Sequence, residues 1–180
     1  MVSIIRRLAT YHLRRGTPAD ADAIVHHRIA MFTDMGIALD APALDREFRA
    51  WLTPMMERGI YHAWMVETDQ GEIVGGGGAS VLPWPPGPSY MGTKIAVVYN
   101  VYTEPAHRRQ GLARRIMDAI HAWCRAEGIA SVALNASRDG RPLYDALGYQ
   151  LPSNPMMFLS IAGYNSSVLA KEGRPIRSDT

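Results

Sequence analysis

The stretch Val101-Tyr-Thr-Glu-Pro-Ala-His-Arg-Arg-Gln-Gly-Leu-Ala113 decides how this 180-residue chain is read. It passes from a β-branched, aromatic run through a basic turn into a long amphipathic segment, which predicts strand, turn and helix in that order. Arg108, Gly111 and Ala113 set out the pattern R-x-x-G-x-A, and Gly111 lets the backbone lie close to whatever it faces. A helix starting there aims its unpaired N–H groups and the positive end of its dipole at the turn, which suits a phosphate. Arg108, Arg109, Arg114 and Arg115 add positive charge. The segment therefore predicts a cradle for a diphosphate.

The flanking sequence supplies the frame. Residues 94–102 read as a central strand entering the cradle, and residues 110–127 as the helix leaving it. Leu112, Ile116, Ile120 and Trp123 form the buried stripe of that helix, and Gly128 stops it. Upstream, residues 11–15 read as a strand, and Thr17-Pro18 opens a first helix carrying Ala21, Val25, Ile29 and Phe32. Gly36 interrupts it; Asp40 and Pro42 open a second helix, which Pro54 should kink or end. Residues 61–67 and 72–82 form a hairpin about Asp69-Gln-Gly71, followed by a stiff Pro-rich loop over 83–88. Downstream come a strand over 131–135, a short helix over 141–147, and two closing strands over 149–151 and 156–161. This alternation predicts a mixed α/β (α+β) fold with a mostly antiparallel sheet of about six to seven strands and helices on both faces. One domain over residues 1–162 and an extension over 163–180 follow.

Composition excludes several function classes. The chain is 47% hydrophobic and 20% charged, the profile of a globular protein. A net charge of +2 and a pI near 8.8 are too mild for a nucleic-acid binder, so the arginines at 108–115 mark a local site. Cys124 is the only cysteine, which rules out an internal disulfide and a thiolate metal cluster. The histidines show no metal-ligand spacing and read as solvated or locally bonded, so no metal is expected. No apolar run approaches the ~20 residues of a membrane span, and the first ten residues do not make a secretory signal. A cytoplasmic protein without a membrane partner is the expectation.

Taken with Leu143-Tyr144-Asp-Ala-Leu-Gly148-Tyr149, the order strand, R-x-x-G-x-A, long helix, strand resembles the GNAT superfamily of N-acetyltransferases. The resemblance spans residues 11–161 in element order and is carried by motifs between 95 and 150. It implies that acetyl-CoA is the co-substrate and that two central strands splay apart. Backbone groups of Val101 and Thr103 would then pair with the pantetheine arm. The turn Arg108, Arg109, Gln110, Gly111, Leu112, Ala113 and Arg114 would take the pyrophosphate. Many members carry an asparagine seven residues before the motif tyrosine; here Ser137 stands there, a shorter group for the same contact.

The implied reaction is direct attack of an amine on the thioester in a ternary complex. Tyr144 is the candidate proton donor to the departing thiolate; a phenol near ~10 against a thiol near ~8.5 makes this step uphill by about 2 kcal/mol. An N–H near Val101 would stabilise the oxyanion. Some relatives carry a catalytic glutamate where this chain has Val97, so Glu104, Glu67 or a water chain must serve as base. That missing carboxylate keeps open a non-catalytic acyl-CoA sensor on the same fold. The acceptor amine, small molecule or peptide, is not legible. Phe32, Met35, Trp84 and Asn135 are candidates to line its pocket, and a homodimer is compatible. The run Gly75–Gly78 lacks the spacing of a phosphate loop and reads as a bulge or a close approach of backbones.

Overall fold

The computed structural model describes residues 10–153 except Ser89, together with 156, 157 and 159. It divides into two compact units, one ending at Asp139 and one beginning at Gly140. The first holds a five-stranded sheet in the order β1-β2-β3-β4-β5: β1 (Tyr11–Arg15), β2 (Tyr61–Thr68), β3 (Ile73–Pro83), β4 (Lys94–Thr103) and β5 (Val132–Leu134). The first four run antiparallel, and β5 joins β4 in parallel, so the sheet is mixed as expected. Among the described residues it has five strands, against the six to seven expected for the whole chain. Residues 149–151 form no strand, since the chain there leaves a short helix at Gly148 (φ 87°) in coil. The last expected strand, 156–161, lies partly outside the described residues, and the extension over 163–180 lies wholly outside them.

Period-two alternation along β2 sorts the two faces. Tyr61, Ala63 and Met65 form one buried cluster with Ile24 and Val25 of α1 (Ala21–Asp34) and Phe48 and Leu52 of α2 (Ala41–Glu57). His62 and Trp64 point the other way, with ring centroids 4.4 and 5.3 Å from Trp123 of α3 (Leu112–Ala126). Full burial of each such large apolar side chain is worth ~1.5–3 kcal/mol, so these two layers hold the sheet. Asp40 caps α2 by accepting from the Ala43 N–H at 3.0 Å. Of the two outcomes expected at Pro54, kink or end, the helix does not end there but runs three residues further, to Glu57. Leu112, Ile116, Met117, Ile120 and Cys124 are the buried face of α3.

The glycine run is a packing device. A Cβ on Gly77 would lie 2.8 Å from Ile116 Cγ2, and one on Gly78 would lie 2.0 Å from the Tyr61 hydroxyl. Bare backbone in mid-sheet therefore lets α3 press on one face and the Tyr61 ring on the other. The second unit contains α4 (Arg141–Ala146), with Pro142 in its first turn and a buried Tyr144.

Candidate active site

Two features of β4 build the site. Tyr99 pairs with Gly78 and Tyr102 with Gly76, so Asn100 and Val101 together oppose Gly77 in a β-bulge. Asn100 takes the left-handed conformation (φ 55°), which asparagine tolerates better than most residues. The extra residue breaks the alternation: Tyr99 and Asn100 both face α1 and α2, while the Val101 side chain meets the other face, 3.3 Å from a Cβ built on Gly77. The second feature is the parting of β4 from β5. Their pairing covers only Ala96–Val98 against Val132–Leu134, and beyond it the strands have no register among the described residues. The Glu104 N–H bonds the Val74 carbonyl at 2.9 Å, so by alternation the amide and carbonyl of Thr103 face away from β3, into the opening.

After β4 a single 3₁₀ turn, Pro105–His107, delivers the chain to the cradle. Arg109 (φ 63°) and Gly111 (φ 75°) are both left-handed, and Gly111 is the N-cap of α3 with no side chain capping the helix. The first bond into the helix runs from the Arg115 N–H to the Gly111 carbonyl at 3.1 Å. The N–H groups of residues 111–114 thus have no acceptor within the helix and converge on the turn. A Cβ on Gly111 would meet no protein atom within 4 Å, so the space before the turn is open and only the positive φ favours glycine there.

The arginines divide their tasks. Arg108 does not aim at the cradle: its Nε donates to the Thr103 carbonyl at 2.9 Å and its Nη2 is hydrogen-bonded to Asp34 on α1. Only its backbone remains for a phosphate, and of Thr103 the N–H but not the carbonyl. Arg115 donates to the Tyr11 carbonyl at 3.0 Å, tying α3 to β1. Arg109, Gln110 and Arg114 are exposed at the mouth of the turn, beside half-buried Ala113 and buried Leu112. Ser137 is half-buried in the segment after β5.

The carboxylates expected as bases are otherwise engaged. Glu67 accepts from Arg14 Nε at 2.7 Å and lies two strands from β4, roughly 10 Å at ~4.8 Å per strand. Glu104 pairs with His26 at 2.8 Å and stands at the cradle end of β4. Four residues of strand separate it from Asn100, about 13 Å. His26 and His27 both lie beside Glu104, at 2.8 and 3.9 Å, and His27 differs from the other histidines in its burial. His27 is buried against Tyr102 (centroids 5.3 Å apart), and burial pushes its imidazole down to about 4, so it is neutral at pH 7.

The acceptor-side residues do not gather as expected. Phe32 is half-buried under the Arg28 guanidinium, which lies 5.0 Å from its ring centroid. Met35 is exposed beyond the end of α1, Trp84 is exposed on the proline loop, and Asn135 is exposed after β5. A cavity of about 340 Å³ lies elsewhere, over the bulge and between α1 and α2. Arg28, Phe48, Trp51, Tyr61, Tyr99 and Asn100 line it. Asn100 organises this wall: its Oδ1 accepts from Arg28 Nη1 at 2.7 Å and its Nδ2 donates to the Tyr61 hydroxyl at 3.2 Å. Burial pushes Tyr61 up to about 12, so it stays protonated. Asn100 had a visible signal, an asparagine inside a β-branched run where it is depleted. The aromatics of α2 had none, because a core stripe and a cavity wall share one periodicity.

Tyr144, in the second unit, sits edge-on to Tyr149 with centroids 5.7 Å apart, and burial raises its phenol above the ordinary value. Among the described residues no group of three or more His, Cys, Asp or Glu could hold a metal ion, and no helix is long and apolar enough to cross a membrane.

Comparison with known proteins bears on these features. The family model described as Acetyltransferase (GNAT) family matches residues 23–149. A GCN5-related N-acetyltransferase from Ralstonia eutropha JMP134 is similar at 33% identity, with a TM-score of 0.77 over 86% of this chain and 100% of that one. A predicted acetyltransferase with acetyl-CoA from Clostridium acetobutylicum shares the fold at 22% identity (TM-score 0.76, 83% and 96% covered). An aminoglycoside N-acetyltransferase in complex with CoA does so at 14% (TM-score 0.67, 88% and 99% covered). No curated protein sequence matches the chain.

Proposed function

Because the chain belongs to the GNAT family of acetyltransferases, we propose that it moves the acetyl group of acetyl-CoA onto a primary amine held in the cavity over the β4 bulge. One observation carries this reading: the bulge at Asn100–Val101 joins an open strand edge on one side to an amine-sized cavity on the other. Acetyl-CoA lays its pantetheine along β4, pairing with backbone groups of Val101 and the Thr103 N–H. Its pyrophosphate takes the N–H groups of the turn from Arg109 to Arg114, with the Arg109 and Arg114 side chains adding charge at the mouth. Ser137 offers a hydroxyl on the β5 side.

The amine nitrogen attacks the thioester carbonyl directly, and no acyl-enzyme forms. Cys124 supports this, being buried on α3 with its thiol pushed up by burial. The oxyanion is met by main-chain N–H at the bulge, fixed beforehand by the Asn100 side-chain bonds. Collapse breaks the C–S bond, Tyr144 gives its proton to the thiolate, and the second proton that the nitrogen sheds as the amide forms restores the Tyr144 phenol through solvent. Burial raises the Tyr144 phenol, which keeps it protonated and able to donate. With Val97, Glu67 and Glu104 all unsuited, the ammonium proton leaves through water. Most of the acceleration comes from placing two reactants across one bulge.

Calorimetry with acetyl-CoA, followed by thiol release against an amine panel, tests the proposal. Binding with amine-dependent release supports it. Binding without release for any amine favours the acyl-CoA sensor, and no binding rejects both.

A further inference from the structure

The cavity over the bulge also bears on the body of the acceptor, on the premise that the acetyltransfer reading above is right. Its volume of about 340 Å³ falls at the lower end of small-molecule sites, which run to ~1,000 Å³. Leu44, Glu47, Phe48 and Trp51 recur at i, i+3, i+4 and i+7, so one face of α2 forms a wall, and Tyr61 of β2 and Tyr99 of β4 form the floor. Phe48 stacks on Trp51 with centroids 5.7 Å apart, and Trp51 meets Tyr61 edge-on at 5.6 Å. The Phe48 and Tyr61 rings are buried, whereas Trp51 is 40% exposed where the cavity opens. The polar groups of the lining are turned on one another or on the surrounding rings. Asn100 commits its Oδ1 to Arg28 and its Nδ2 to the Tyr61 hydroxyl. The Arg28 guanidinium is engaged by that bond and by the faces of Phe48 and Phe32, 4.6 and 5.0 Å from their centroids. Glu47 is exposed and pairs with its neighbour Arg46 at 3.0 Å. An acceptor with many hydroxyls or a second charge would shed its water there and find these groups already occupied, a desolvation cost with little to offset it. A flat apolar body instead gains from every ring it covers.

We infer that the acceptor is an arylalkyl amine, a single primary amine joined by a short unbranched chain to a flat apolar ring, and that Trp51 is the residue that selects the ring. The ring lies against Trp51 and Tyr99 and covers indole surface that is otherwise in water. The chain carries the nitrogen down to the bulge at Asn100–Val101, across which the thioester carbonyl is presented. In the reaction the nitrogen sheds one proton to water before attack and a second as the amide forms. The C–N bond forms, the C–S bond breaks and coenzyme A leaves as the thiol. The ring takes no part beyond binding.

The test measures thiol release from acetyl-CoA by the full chain with phenethylamine and tryptamine, against ethylamine, glucosamine and spermidine. Each arylalkyl amine should exceed the other three at least ~30-fold in kcat/KM, the fold-change expected from burying a ring. Trp51→Ala should lower the phenethylamine-to-ethylamine ratio ~10-fold, chiefly through KM, and Trp51→Phe should restore part of it. Trp51 also packs on Phe48 and Tyr61, so a thermal melt accompanies each variant, and the wild-type ratios decide alone if Trp51→Ala does not fold. Ethylamine, glucosamine or spermidine turned over as well as the arylalkyl amines would overturn the inference, as would an unchanged ratio in folded Trp51→Ala. Turnover confined to those other amines sinks this inference and leaves the acetyltransfer reading standing. Absence of acetyl-CoA binding, or binding without release for any amine, sinks the acetyltransfer reading and this inference with it.

Discussion

Replacing Asn100 with alanine perturbs the bulge where backbone strain and side-chain bonding meet. The side chain is buried and satisfies two partners, Arg28 Nη1 at 2.7 Å and the Tyr61 hydroxyl at 3.2 Å. Removing an acceptor from a charged donor costs ~1.5–3 kcal/mol, and losing the bond to tyrosine ~0.5–1.5 kcal/mol. Alanine at φ 55° adds ~1 kcal/mol that asparagine largely avoids. The total of ~3–5 kcal/mol corresponds to a Tm lower by roughly 10 °C for a chain of this length. Glycine relieves the backbone but not the bonds, so Asn100→Gly should be milder than Asn100→Ala by ~1 kcal/mol. Asn100→Asp keeps an acceptor for Arg28 and should lie closest to wild type. Urea unfolding of the three variants, with thermal melts beside it, reads these values. A loss below ~1 kcal/mol for alanine, or glycine worse than alanine, would refute the account of Asn100 as the brace of the site.

Gly111→Asp should weaken acetyl-CoA binding at least ~100-fold by calorimetry while leaving the fold intact, because aspartate tolerates φ 75° and meets no protein atom there; wild-type affinity would contradict the cradle. Tyr144→Phe should lower kcat about 10²-fold with little change in acetyl-CoA affinity, and a near wild-type rate would remove Tyr144 from the acid role. Gly78→Ala forces the Tyr61 ring to move from a 2.0 Å clash and should destabilise by ~3 kcal/mol, whereas Gly87→Ala, with nothing within 4 Å, should be neutral in the same melt. Acid should lower stability over two pH ranges. Buried His27 titrates near 4 in the folded chain against 6.5 when unfolded, so the unfolded state binds more protons between these values and stability falls as pH drops from 6.5 towards 4. Asp20, held at about 2 by Arg14, adds a further loss as pH drops from 3.8 towards 2. His27→Phe should flatten the stability curve between pH 6.5 and 4 only; an unchanged slope there would contradict the assignment to His27.

Legibility in the sequence followed the range of the forces involved. The hairpin of β2 and β3, the cap at Asp40 and the amphipathic α3 rest on neighbours within a few residues, and each lies where periodicity and turn chemistry put it. The cradle turn was readable for the same reason, since Gly111 and the helix after it are local. The Arg108 side-chain pairing with Asp34 was not legible, because Asp34 on α1 meets it only through the tertiary fold. The acceptor side was least legible. Its wall joins α1, α2, β2 and the bulge, and sequence alone does not separate a tyrosine over a glycine from one in a filled core. Residues 149–151 had the composition of a strand but follow the left-handed Gly148 as coil.

Among the described residues, the parting of β4 from β5 after Val98 leaves a raw strand margin inside the sheet rather than at its flank. Such a margin can recruit a foreign chain as readily as a cofactor arm. Purified protein should therefore self-associate more when stored alone than when saturated with coenzyme A, and the nucleotide should act as a stabiliser against aggregation by an amount set by RT ln(1 + [L]/Kd).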